Sequence, residues 1–211
     1  MAPVQNRLFA RYFDRFGARN EERGNRELRG ELLAGLSGRV LEVGAGTGLN
    51  FPHYPPQVRE VLAVEPEPYL RARATAAAAD APVRISVADG TAGDLPAPDG
   101  AFDAVVVSGV LCSVADVRAA VAEFHRVLRP GGRLCFYEHV RSRDAAFARL
   151  QRIADLAWPR LMGGCRVARD TRAEIERVFT MEACRGFRFP PSARFSPVAP
   201  RIMGVAGKDG P

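Results

Sequence analysis

Lysine is almost missing from this chain: Lys208 is the only one among 30 lysines and arginines. Against 24 acidic residues the basic ones leave a net charge of +6, carried almost wholly by arginine. Guanidinium forks pair well with phosphate, so a nucleic-acid partner has to be weighed. The arginines are interleaved with Asp and Glu and form no block of one sign, so no nucleic-acid partner is expected. The four cysteines, Cys112, Cys135, Cys165 and Cys184, show no CxxC spacing, which favours reduced thiols over a disulfide framework. His53, His125 and His139 lie far apart and match no zinc spacing, so no metal site is expected. No apolar run approaches the roughly 18 residues of a membrane span. The longest, Ala104 to Val114, is broken by Ser108, Gly109 and Ser113. The opening MAPVQNRLFARYF lacks the basic, apolar and cleavage regions of a signal peptide. A cytoplasmic protein is expected, with peripheral membrane association and a monomer or homodimer left open.

What is present suits one ordinary domain: 211 residues, 47% of them hydrophobic. Leu8, Phe9, Tyr12, Phe13 and Phe16 recur at helical spacing, and a second helix is expected over residues 26–36. Residues 1–38 thus read as a helical cap or lid, and 39–211 as the main domain. Beyond Gly38, short β-branched runs alternate with helices. Strands are expected at 39–43, 60–65, 83–87, 102–108 and 133–140, with helices at about 115–128 and 144–157. Arg129-Pro130-Gly131-Gly132 reads as a stop signal. Thr171-Arg172-Ala173-Glu174 fits a capping box. Two last strands, 181–189 and 201–208, suit an antiparallel pair at a sheet edge. The pattern is α/β, a Rossmann-like doubly wound, mostly parallel seven-stranded sheet with an antiparallel edge hairpin.

The segment carrying most chemistry is VLEVGAGTG, residues 40–48. A strand ends in Glu42, and Gly44, Gly46 and Gly48 then let a ligand lie against bare backbone. A dinucleotide fingerprint needs a third glycine at 49, which is Leu49, and no Gly-Lys-Ser/Thr follows as in a P-loop. A nucleoside without a pyrophosphate cradle fits better. Glu65 closes the next strand 21 residues after Gly44, where a carboxylate can accept from both ribose hydroxyls.

On EVGAGTG, AVEPEP, GTAGDLPAPDGAFD, LCSV and RVLRPGG, the sequence resembles class I S-adenosylmethionine-dependent methyltransferases from Arg39 onward. GLNFPHYP, VLCSV, YEHV, AWPRLMGGC and the RDT–IERV segment are similar to a small bacterial group related to the mammalian alkyl-thiol methyltransferases. The resemblance implies S-adenosyl-L-methionine as cofactor. It implies that Gly44, Ala45, Gly46 and Gly48 face its methionine and ribose, with Glu42 and Asn50 beside them. Glu65 would hold the ribose, Pro66 flank the adenine, and Thr91 and Ala92 close the adenine end. Ser108 and Leu111 would line the sulfonium. Relatives usually carry Asp where Thr91 stands and Glu where Gly93 stands, and Asp89 is a neighbouring substitute.

A small-molecule acceptor is expected, and a thiol is favoured because it needs little help to become a nucleophile. An N-, O- or C-methyltransferase of a biosynthetic pathway is the alternative. His139, leaving the fifth strand beside Glu138, is the candidate catalytic residue, since imidazole suits proton transfer near neutral pH; a histidine satisfied by its loop is the competing reading. Asp170 reads as a helix cap before a base, and Cys112 as a packed small residue before a reactive one. Tyr54 and Trp158 read as packing or pocket wall, and Arg169 and Arg172 as solvated residues or contacts for an anionic acceptor.

Overall fold

The computed structural model describes residues 10–12, 14–15, 24–190, 193 and 195–210. The strands are β1 (Gly38–Val43), β2 (Val58–Val64), β3 (Arg84–Ala88), β4 (Phe102–Ser108), β5 (Leu128–His139), β6 (Thr180–Arg188) and β7 (Pro200–Gly207). They form one seven-stranded sheet in the order β3-β2-β1-β4-β5-β7-β6. The first five run parallel, β7 lies antiparallel to β5, and β6 antiparallel to β7. This is the expected mostly parallel sheet with an antiparallel edge hairpin. The strand order reverses direction between β1 and β4, and in open α/β sheets the ligand crevice lies outside the carboxyl ends at that reversal.

A parallel strand covered on both faces reads as an unbroken apolar run. Ala104 to Val107 of β4 are accordingly all buried. Side chains alternate between the faces. Val40, Val106, Cys135 and Tyr137 pack with Leu32 and Leu33 of α1 (Arg26–Leu33) and Ala74 of α2 (Pro68–Ala78). Leu41, Val43, Val105 and Phe136 pack with Val121 and Phe124 of α3 (Val117–Val127) and Ile175 of α6 (Thr171–Glu176). Between those last two helices lie α4 (Ala145–Ala154) and the short α5 (Trp158–Leu161). Among the described residues no helix is long and apolar enough to cross a membrane.

Carboxylates start the helices. Asp116 accepts from the Arg118 and Ala119 amides at α3, and Asp144 from the Phe147 amide at α4. At α6 the cap is Asp170, accepting from the Ala173 amide at 3.2 Å, so the capping box expected on Thr171 is shifted by one residue. Thr171 instead turns inward and is fully buried. The Arg129–Gly132 stop signal does end α3, but Leu128 pairs at once with Phe102 and β5 starts five residues before the expected Arg133. A register shift absorbs the Pro-Gly-Gly segment, with Gly131 at φ +72°. The single lysine caps this same C-terminal end of α3: Lys208 Nζ donates to the carbonyls of His125 (2.8 Å) and Leu128 (2.7 Å).

Of the expected N-terminal amphipathic helix, residues 10–12 and 14–15 are helical. Leu8, Phe9, Phe13 and Phe16 lie outside the described residues.

Candidate functional site

Gly44, Gly46 and Gly48 all adopt the left-handed conformation, at φ +70°, +59° and +83°. A Cβ on Gly44 would meet Val110 Cγ2 at 2.5 Å, so the turn and the loop after β4 touch only because Gly44 has no side chain. Two buried carboxylates hold this turn. Glu65 Oε2 accepts from the Gly46 amide at 2.8 Å and Oε1 from the Glu67 amide at 3.0 Å. Glu42 accepts from Asn50 Nδ2 at 2.9 Å and Tyr54 Oη at 2.6 Å. Arg29 of α1 donates to Asn50 Oδ1 at 2.7 Å. Burial pushes Glu42 up to about 7 against these hydrogen bonds, and burial also raises Glu65. Tyr54, read from sequence as packing or pocket wall, is thus a ligand of Glu42.

Next to this turn, Arg71 Nη1 donates to the carbonyls of Glu65 (2.7 Å) and Pro66 (3.1 Å) and to Asp89 (3.0 Å). Thr91 is exposed and its backbone bridges to Asp94, while Ala92 is buried. Glu42, Gly44 to Gly48, Asn50, Glu65, Pro66, Thr91, Ala92 and Ser108 therefore lie on strand ends and the loops that follow them at one end of the sheet. Leu111 departs from the expectation. Its side chain is fully buried in the core with Phe136 and Ile175, and Val110 is the residue that faces the glycine turn.

The loop after β4 is latched to the end of β5. The carboxylate of Glu138, 1% exposed, accepts from the amides of Val110 (2.8 Å), Leu111 (3.0 Å) and Cys112 (3.2 Å). Burial raises its pKa against these three donors. Arg169 Nη1 ties the same loop from the far side, donating to the carbonyls of Leu111 and of Val114, the latter at 2.9 Å. Arg169 is thus partly buried and a tie of this loop. Arg172 pairs with Glu176 on the surface, and Asp170 is engaged by Arg141 as well as by the helix start.

His139 stands where β5 ends, with Nδ1 3.5 Å from Cys112 Sγ and 3.7 Å from Cys165 Sγ. Spacing along the chain hid this group, because its members come from three separate segments. The three ligand atoms lie within 4.8 Å of one another, a juxtaposition that no zinc-type spacing along the chain announces. Hydrogen bonding to Cys165 and burial hold the Cys112 thiol well above the ordinary cysteine range. Cys135 and Cys184 lie elsewhere, and all four cysteines are free thiols. His125 packs edge-on against Phe179, away from the crevice. An open groove of about 480 Å³ between α4 and the β6–β7 connection is lined by Asp144, Ala146, Phe147, Leu150, Arg188 and Phe195, none of them on the cofactor loops.

The crevice fits a nucleoside cofactor: side-chain-free turn, acidic group at the end of β2, and apolar wall from Val110. A family described as a methyltransferase domain matches residues 41–136. Human thiol S-methyltransferase TMT1B is 38% identical over 200 residues, covering 90% of this chain and 80% of its own. Among solved structures, the N-methyltransferase NodS from Bradyrhizobium japonicum, in complex with S-adenosyl-L-homocysteine, has a TM-score of 0.66 at 20% identity, covering 89% of this chain and 86% of its own. The [4+2]-cyclase SpnF has a TM-score of 0.67 at 20% identity, covering 88% of this chain and 80% of its own, so the shared fold alone does not specify a reaction. With the relative at 38% identity spanning both the glycine turn and the β4–β5 loops, the chain belongs to the class I S-adenosylmethionine-dependent methyltransferases.

Proposed function

We propose that the protein methylates the sulfur of a small-molecule thiol. The observation that carries this reading is the 38% identity to a thiol S-methyltransferase across 90% of the chain, acceptor-side loops included. Bound in the crevice, S-adenosylmethionine supplies a methyl group on a positively charged sulfur. Gly44, Ala45, Gly46 and Gly48 would receive its methionine and ribose portion, and Glu65 the ribose hydroxyls through the lone pairs its two backbone contacts leave free. Pro66, Thr91 and Ala92 would flank the adenine. Ser108 and Val110 would wall the sulfonium, and Glu42 with Asn50 would set the turn.

The acceptor side supports sulfur on chemical grounds. An amine or phenol acceptor needs a positioned base, whereas a thiol reaches its nucleophilic form with modest help. The carboxylates nearest this side are engaged: Glu138 with three amides and Asp170 with Arg141 and α6. His139, between two thiols, is the residue we place beside the acceptor. Residues 1–38 would act as a cap, as Asp14 binds Tyr69 Oη at 2.7 Å and Arg29 reaches Asn50.

Release of S-adenosylhomocysteine is the test, with the cofactor and matched alkyl thiol, sulfide, phenol and amine acceptors. Release with thiols or sulfide only is expected. Turnover confined to amines or phenols would replace the sulfur reading with the N- or O-methyltransferase alternative.

A further inference from the structure

Cys112, Cys165 and His139 are held in place before any ligand arrives. Cys112 sits on the loop that Glu138 grips by three amides. His139 is the next residue after Glu138, at the end of β5. Cys165 follows the Gly163-Gly164 turn, which presses on the Cys112 loop so closely that a Cβ on Gly164 would meet the Ser113 carbonyl oxygen at 2.8 Å. Arg166 then donates its amide to the Cys112 carbonyl at 2.8 Å, and Asp155 accepts from the amides of Val167 (2.7 Å) and Ala168 (3.1 Å). Three segments are thus cross-linked around three soft donor atoms.

The donor spacing matches a particular geometry. Zinc sits about 2.3 Å from sulfur and about 2.0–2.1 Å from imidazole nitrogen in a tetrahedron, which puts nitrogen and sulfur ligands about 3.5–3.6 Å apart. The two observed sulfur–nitrogen distances are 3.5 and 3.7 Å. Among the described residues no further His, Cys, Asp or Glu joins the group. Three protein donors with an open fourth position are the pattern of reactive rather than structural zinc sites. Val167, Met162 and Trp158 pack on the cysteines from one side, while Ser113 Oγ and the Gly109 carbonyl each lie 3.5 Å from Cys112 Sγ.

We propose that Cys112, Cys165 and His139 bind one divalent cation of the zinc class, whose fourth position takes the acceptor sulfur. The latter half rests on the thiol reading above. A thiol entering that position loses its proton to solvent as the metal–sulfur bond forms, and the metal keeps its oxidation state. His139 is then a ligand rather than a base.

The test is metal stoichiometry on reduced full-length protein, stripped with a chelator and titrated with Zn2+. Co2+ serves as the spectroscopic probe. One ion per chain is expected, with thiolate-to-cobalt absorption in the near ultraviolet and a change in the visible bands when a small alkyl thiol is added. Cys112→Ser and Cys165→Ser should each weaken uptake at least 100-fold, with circular dichroism showing the fold retained. Cys184→Ser, on β6 and outside the cluster, should still take up one ion. No stoichiometric uptake by the wild type, cobalt spectra without a sulfur band, or equal loss in Cys184→Ser would overturn the site. Metal uptake without any effect of added thiol would overturn the role of the fourth position. Uptake with a silent thiol panel would instead leave the metal site standing and sink the acceptor assignment, so the two failures read differently.

Discussion

Glu42 carries a buried carboxyl whose pKa stands at about 7 instead of 4.5, because burial outweighs the hydrogen bonds from Tyr54 and Asn50. Between those two values the folded protein holds a proton that the unfolded chain releases. Stability contributed by this group is therefore highest below pH 4.5 and falls as pH rises through 7. Glu42→Gln removes the slope. Its stability relative to wild type should improve from pH 5 to pH 8 by on the order of 3 kcal/mol, read from denaturant curves at both values. A difference that stays flat over that range would contradict the assignment. Glu65 behaves differently, since the role proposed for it is toward a ligand. Glu65→Ala should weaken S-adenosylhomocysteine binding at least tenfold by calorimetry, about 1.4 kcal/mol, and unchanged affinity would remove it from the site. Both carboxylates were legible in the sequence, Glu42 because it stands just before the glycine turn and Glu65 because it closes the next strand 21 residues after Gly44. Cys165 and the task of Glu138 were not, because a loop latch and a cluster assembled from three segments leave no periodic trace.

At the scale of elements, the latch between the β4 loop and β5 is the least replaceable contact. Glu138→Ala would leave three amides without their acceptor, a loss of several kcal/mol, and the melting temperature should fall accordingly. Glu138→Gln retains one carbonyl oxygen for the same amides and should recover part of it. The glycines sort by the same logic. Gly44→Ala must both hold φ near +70° and displace Val110, so cofactor affinity should drop. Gly30, in α1, has nothing within 4 Å of a built Cβ, and Gly30→Ala should stabilise the fold by about 0.5–1 kcal/mol. Equal responses of the two variants would refute this account. Helix and strand order followed from periodicity, while the early start of β5 did not. Pro130 and the two following glycines read locally as an ending, and only pairing of Leu128 with Phe102 across the sheet turns the segment into a strand.

Across the whole molecule, the sheet order brings the loops we assign to the cofactor to one end of the sheet, and Arg29 of α1 reaches them through Asn50 and Glu42. Arg29→Ala should lower cofactor affinity several-fold while leaving the circular dichroism spectrum unchanged; wild-type affinity would argue that residues 1–38 have no part in the crevice. The lone lysine has a practical reach of its own. Because Lys208 spends its ammonium on two carbonyls at the end of α3, an acylating dye or amine cross-linker finds no lysine elsewhere on the chain. Lysine modification would unpick a helix end instead of decorating the surface, so attachment of probes or supports is better directed at a cysteine introduced for the purpose.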